Sequence, residues 1–231
     1  MHQGIESTID EARLRSLVTV FLEENRKLNL SAFRSEEHCW IGNVLDSIAL
    51  LQADLEKPLL KDVQRIVDIG TGGGFPLLPL AMCLPSVACF GIDATQKKVD
   101  AVRRIVTTLD LKNVTLLPGR LEELAHTDAL RSSFDLVTVR AVAPLPALLE
   151  YAVGFLKVGG LLACWKSSKV AQELASTAKA QQVLAMQFLR IFTYELPGAF
   201  GERTILFFRK TRPTPEAYPR KVGVPKAKPL S

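Results

Sequence analysis

From Arg65 onward, short apolar runs alternate with stretches of helical periodicity, and this alternation limits the chain to few architectures. The runs Arg65–Ile69, Val87–Ile92, Val114–Leu117, Phe134–Val139 and Leu161–Trp165 read as strands. The intervening Leu77–Leu84, Lys97–Leu109, Leu145–Leu156 and Val170–Gln182 read as helices. Strands separated by helices build βαβ units, whose strands pair in parallel. Two final β-rich runs, Met186–Tyr194 and Arg203–Arg209, have no helix between them and read as an antiparallel pair at one sheet edge. The predicted fold class is therefore α/β: a mostly parallel sheet with an antiparallel edge pair.

A helical prelude precedes it. Thr8 and Glu11 form a capping-box pattern, and Ile9, Leu14, Leu17, Val18, Phe21 and Leu28 recur at helical spacing. A second amphipathic helix is predicted over Ser35–Asp54, with Ile41, Val44, Leu45 and Ile48 on one face. Their apolar faces require something larger to pack on. Residues 1–62 thus read as a helical segment resting on a core of residues 63–208, followed by a tail, 209–231.

No charge occurs between Asp68 and Asp93, but this apolar stretch is not a membrane span. Gly70, Gly72, Gly73, Gly74, Pro76, Pro79 and Pro85 break it into a loop, a short helix and a buried strand. Met1-His2-Gln3 leads into polar sequence, so no secretory leader is expected. Cys39, Cys83, Cys89 and Cys164 form no CxxC pair and read as buried thiols of a reduced, cytoplasmic compartment. With 48% apolar residues, a chain of 231 residues can bury a core without disulfide or metal staples.

The net charge of +5 is uneven. Residues 209–231 hold seven Lys or Arg against Glu216, a balance of +6, and leave −1 for residues 1–208. Five of the 13 prolines lie in the same tail, so neither a helix nor a central strand is expected there. The tail reads either as a solvated appendage or as an extended arm that neutralises phosphates. Tyr218 and the spaced prolines suit a fixed path.

The first strand runs into Asp68-Ile69-Gly70-Thr71-Gly72-Gly73-Gly74-Phe75-Pro76. Such a loop falls at the carboxyl end of a strand, where open α/β sheets bind ligands. A dinucleotide fingerprint needs its third glycine where Phe75 stands. The pattern is instead Asp-x-Gly-x-Gly-x-Gly, similar to the first motif of Rossmann-like S-adenosylmethionine-dependent methyltransferases. Asp93 ends the second strand, where a carboxylate can accept both ribose hydroxyls, and Thr95 is placed to cap the next helix. After the third strand, Leu121 through its backbone and Glu122 through its carboxylate could read an adenine edge; Glu122 equally suits an ordinary helix start. Arg140, ending the fourth strand, could pair a ligand carboxylate or stand as a rim charge. No GxxxxGK[ST], GxSxG or zinc-deaminase pattern occurs, and His2, His38 and His126 lack metal-ligand spacing. An NAD-dependent oxidoreductase and a non-catalytic RNA-binding protein with a vestigial loop are the competing readings.

Taken together, Leu28-Asn29-Leu30-Ser31-Ala32, Leu45-Asp46-Ser47, the glycine loop, Gly119-Arg120-Leu121-Glu122-Glu123, Arg140-Ala141-Val142 and the tail from Tyr218 to Leu230 resemble one family. It is the bacterial small-subunit rRNA guanine-N7 methyltransferases, also called the glucose-inhibited division protein B family. The resemblance implies a Rossmann-like class I fold and a cofactor site for S-adenosyl-L-methionine at Gly70, Phe75, Leu121, Glu122 and Arg140, with Gly72, Asp93 and Thr95 beside it. It implies methyl transfer to N7 of a guanine in the decoding region of 16S rRNA, within a small ribosomal subunit or an assembly intermediate, and neither metal nor membrane. Two positions depart from the family pattern. Asn43 stands where a histidine is common, and Leu121 where alanine is usual.

Overall fold

The computed structural model describes residues 10–140, 143–166 and 170–231. Thr8 and Ile9, like Ala141 and Val142 of the Arg-Ala-Val element, lie outside the described residues. Helix α1 (Glu11–Lys27) is capped by Asp10, whose side chain accepts from the Arg13 N–H at 2.9 Å.

The predicted single helix over Ser35–Asp54 is three pieces: α2 (Glu36–Cys39), a π-helical turn (Trp40–Leu45) and α3 (Asp46–Glu56). The widened turn carries Asn43 inward, where it is fully buried.

Among the described residues seven strands form one sheet: β1 (Arg65–Ile69), β2 (Ala88–Asp93), β3 (Val114–Pro118), β4 (Phe134–Arg140), β5 (Leu156–Lys166), β6 (Met186–Leu196) and β7 (Gly201–Lys210). Their order is β3-β2-β1-β4-β5-β7-β6. The pairs β1–β2, β1–β4, β2–β3 and β4–β5 are parallel. Strand β7 inserts antiparallel between β5 and β6, so the edge pair forms as expected. Between strands lie α4 (Leu77–Cys83), α5 (Gln96–Thr108), α6 (Leu121–Leu124) and α7 (Leu145–Val153). The last predicted helix divides into α8 (Val170–Ala175) and α9 (Ala178–Leu184).

Alternate strand residues face opposite sides of the sheet. Ile66, Leu136, Leu161, Ala163 and Ile205 join Leu14, Leu17, Phe21 and Leu50 of the N-terminal helices with Leu77 of α4 in one core. Val67, Val137, Leu162, Cys164 and Leu206 join Leu148 and Ala152 of α7 and Leu184 of α9 in the other. The prelude is thus one flank of the sandwich and shares its core. All four cysteines are buried free thiols, and burial pushes Cys89 and Cys164 up to about 12.

The tail departs from expectation. It lies against the α7 side of the sheet, with Pro219, Pro225 and Leu230 buried, and it contains a one-turn helix, α10 (Val224–Ala227). Pro225 sits in the first turn of α10, where a missing N–H breaks no helical bond. Arg220 makes paired hydrogen bonds to the fully buried Glu150 carboxylate, and Arg131 donates to the carbonyls of Thr214, Pro215 and Tyr218. Lys210, also buried, donates to the carbonyls of Val153 and Leu156. Two of the seven basic groups are therefore committed inside the fold. Arg209, Arg212, Lys221, Lys226 and Lys228 remain exposed.

Candidate active site

The chain crosses from β1 to β2 on one side and returns through β3 to β4 on the other. The carboxyl ends of β1 and β4 therefore flank the point where strand order reverses, the usual ligand crevice of such sheets. The glycine loop leaves β1 there. The N–H groups of Gly70 and Thr71 donate to Ile92 O at 2.8 and 2.9 Å, which ties the loop to the end of β2. Gly72, at φ +55°, turns its own N–H onto Asp93 Oδ2 at 3.0 Å. The Thr95 N–H donates to Asp93 Oδ1 at 2.8 Å. One carboxylate thereby fixes the loop and the start of α5, and each of its oxygens keeps a lone pair for a ligand.

A side chain built on Gly72 would meet no atom nearer than Gly70 O at 3.8 Å, so the space over this glycine is open. Three cavities run along the carboxyl edge and adjoin through shared lining residues. The first, about 710 Å³, is lined by Gly70, Asp93, Gly119, Leu121, Glu122 and Tyr151, and by Val222, Gly223 and Lys226 of the tail. The second, about 370 Å³, shares Gly70 and Asp93 and adds Gly72, Phe75, Lys98 and Arg140. The third, about 560 Å³, shares Ser31 and Arg140 with the second and extends past Asn43, Asp46 and Trp165 to Lys166 and Glu173.

Each candidate cofactor residue lies among the described residues. Gly70, Gly72, Phe75, Asp93, Leu121, Glu122 and Arg140 all line the first two cavities. Phe75 is mostly buried, edge-on to Phe21 of α1 with centroids 4.9 Å apart, so the helical prelude braces the loop. Thr95 does not cap α5 as expected. Its side chain is exposed and makes no cap hydrogen bond to α5; it acts on Asp93 through its backbone. Glu122 is buried and Oε1 accepts the Gly223 N–H at 2.8 Å, while Oε2 has no hydrogen bond among the described residues. The tail thereby forms one wall of the first cavity.

Arg140 is held from the other flank. Nη1 donates to Gly42 O and Asp46 Oδ2, both at 2.9 Å, and Nη2 donates to Asn43 Oδ1 at 2.7 Å. Among the described residues three of its five N–H donors are used, and the other two are without a partner. Asp46 is the hub of this corner, also taking the Tyr194 hydroxyl on its carboxylate and Trp165 Nε1 on its carbonyl. Burial and this neighbouring carboxylate push the Tyr194 phenol well up. Sequence reasoning gave no role to Asn43, Asp46, Trp165 or Tyr194; the Leu45-Asp46-Ser47 element was the available signal.

Asp68 lies beneath the loop, 1% exposed. Oδ1 accepts from Thr138 at 2.8 Å; among the described residues Oδ2, like Thr71 Oγ1, has no hydrogen-bond partner. Burial pushes its carboxyl up to about 6. Among the described residues, no group of three or more His, Cys, Asp or Glu is placed to hold a metal ion, and no helix is long and apolar enough to cross a membrane.

The architecture is that of Rossmann-like methyltransferases. It superposes on an O-methyltransferase from Bacillus cereus solved in complex with SAH, with a TM-score of 0.58 at 16% identity, over 84% of this chain and 91% of that one. It superposes equally on cofactor-bound Rv0187 from MTB, with a TM-score of 0.58 over 84% and 89% of the two chains at 16% identity.

The sequence narrows this further. The model of GidB, rRNA small subunit methyltransferase G, matches residues 10–198, and the chain belongs to that family. Ribosomal RNA small subunit methyltransferase G of Carboxydothermus hydrogenoformans is 36% identical over 91% of this chain and 88% of its own length. The protein of that name from Desulfitobacterium hafniense is 39% identical over 90% and 84%. That from Deinococcus radiodurans is 35% identical over 98% and 88%.

Proposed function

We propose that the chain transfers a methyl group from S-adenosyl-L-methionine to N7 of a guanine in the decoding region of 16S rRNA. The observation that supports this most is the Asp93 carboxylate, locked by Gly72 and Thr95 with acceptor capacity to spare, at the junction of the two cavities.

The residues present fit this cofactor. Asp93 would accept the ribose hydroxyls. Leu121 and Ile92 would flank the adenine in the larger cavity, with the free oxygen of Glu122 at its polar edge. The unused donors of Arg140, and Lys98, would take the methionine carboxylate in the smaller cavity. When bound, the cofactor supplies an electrophilic methyl on its sulfonium. Guanine N7 already carries an available lone pair, so the protein needs no general base. Its residues hold the two reactants in line and exclude water. Arg140 stands where the second and third cavities meet and would orient the methionine end without moving a proton.

The family relationship supports rRNA as the substrate, and the exposed tail cations suit phosphates. The decoding region is formed in an assembled or assembling small subunit, which we take as the physical substrate, and that places the work in the cytoplasm. To test this, extracted 16S rRNA and small subunits lacking the modification are each incubated with labelled S-adenosylmethionine, and the product is mapped by base. One N7-methylguanosine, formed faster on the particle, is expected. Label on another base, or on another atom of guanine, would contradict the reading.

A further inference from the structure

We propose that the third cavity seats the acceptor guanine, and that Lys166 and Glu173 read its O6 and its N1–H and N2 amine. This rests on the methyltransferase reading above and adds the residues that choose the base.

Position comes first. The cavity begins where the methionine-side cavity ends, at Ser31 and Arg140, so a base lying in it presents one edge toward the transferable methyl. Its volume, about 560 Å³, suits a nucleoside rather than a lone ion. Lys166 ends β5, the strand beside Arg140 in the sheet. Its ammonium, on a side chain only 13% exposed, donates to Glu173 Oε2 at 2.6 Å and to Ala143 O at 3.2 Å. Among the described residues, that leaves one of three ammonium hydrogens, one whole carboxylate oxygen and a second lone pair on the other without a partner, side by side.

Guanine matches that pair atom for atom. Its O6 acceptor lies between N7 on one side and the N1–H donor on the other. An ammonium on O6 with a carboxylate on N1–H and the N2 amine satisfies the edge beyond N7 and leaves N7 free. Adenine would put an amine against the ammonium and a bare nitrogen against the carboxylate, so both contacts would fail. Phe33 and Phe200 also line the cavity, with ring centroids 5.5 Å apart, and close over Gly42, which has no side chain to obstruct them. Aromatic faces of this kind hold a base drawn out of its stack. Arg203 on the lining supplies a cation for the adjoining backbone. As the N7–C bond forms and the S–C bond breaks, no proton is released, and the base becomes cationic within reach of Glu173.

Inosine tests this, because it keeps O6, N1–H and N7 but lacks the N2 amine. Small subunits are reconstituted with guanosine or inosine at the methylated position, and kcat/KM is measured for the native enzyme, Glu173→Ala and Lys166→Met. The native enzyme should prefer guanosine by about tenfold to a hundredfold, the worth of a hydrogen bond to a charged group. Glu173→Ala should be slow on both and should bring the ratio to about one. Lys166→Met should be slow on both and keep the native ratio, since both bases carry O6. Calorimetric affinity for S-adenosylhomocysteine should stay within about twofold in both variants, which certifies the fold. A native enzyme that treats the two bases alike, or a Glu173→Ala enzyme that keeps the native preference, would overturn the pocket assignment while leaving the methyltransferase intact. No methylation of guanosine subunits by the native enzyme would overturn the function, and the pocket with it.

Discussion

Glu122 accepts the backbone N–H of Gly223 at 2.8 Å, and this one bond joins residues 101 positions apart. It brings the tail over the larger cavity, where Val222, Gly223 and Lys226 complete the lining. A cofactor seated in this cavity would touch the docked tail, so binding and docking are expected to be coupled. The tail's charge and proline pattern gave no sign that it would form part of this cavity wall.

The coupling gives the first prediction. Glu122→Ala removes both the tether and the free oxygen and should weaken S-adenosylhomocysteine binding by about 1.5–3 kcal/mol, the range for charged hydrogen bonds. Truncation after Arg212 should weaken it at least as much. Calorimetry on both proteins checks this. Native affinity in the truncated chain would show that the wall contributes nothing.

RNA binding should depend on the exposed cations of the same tail, of which Lys226 also lines the cavity. Lys221, Lys226 and Lys228 are exposed, whereas Lys210 and Arg220 are consumed by the fold. Replacing the three lysines with glutamine should flatten the log–log salt dependence of small-subunit RNA binding by up to ~3 units, with Kd rising at every salt concentration. A slope equal to that of the native protein would rule the lysines out as phosphate contacts.

The third prediction concerns pH. Asp68 titrates at about 6 when folded against an ordinary value of 3.8, because burial disfavours its charge. A raised folded pKa means that the native state binds the extra proton. Its stabilising contribution is full below about 4 and is lost as pH rises through about 6. The stability of the native protein minus that of Asp68→Asn should therefore fall as pH goes from 4 to 7, by up to ~3 kcal/mol. Urea unfolding at several pH values measures the difference. A flat difference would mean that the carboxyl titrates normally.

Local pattern explains which elements were legible. β1 is read residue for residue, because an apolar run between Gln64 and the glycine loop leaves no other boundary. β5 begins at Leu156, earlier than expected, since Lys157, Val158, Gly159 and Gly160 look like a turn yet continue the strand across an irregular register with β4. The Ser35–Asp54 pattern reads as one helix because side-chain periodicity barely registers a six-residue π turn. The tail's prolines exclude a long helix but permit one turn. In the site, the glycine loop and Asp93 are legible because neighbouring strand ends place them together. The Arg140–Asp46 and Glu122–Gly223 bonds are not, because each joins segments about a hundred residues apart that only the folded sheet brings into contact.

If the loop held by Asp93 binds the methyl donor for guanine N7, loss of that carboxylate must cost both binding and transfer. Asp93→Ala tests it most directly, with S-adenosylmethionine binding by calorimetry and N7 methylation of small subunits measured on the same preparation. The variant should fold and its affinity should fall about tenfold to a hundredfold, with a matching loss of N7-methylguanosine at subsaturating cofactor. Unchanged affinity and unchanged methylation in a folded variant would contradict it.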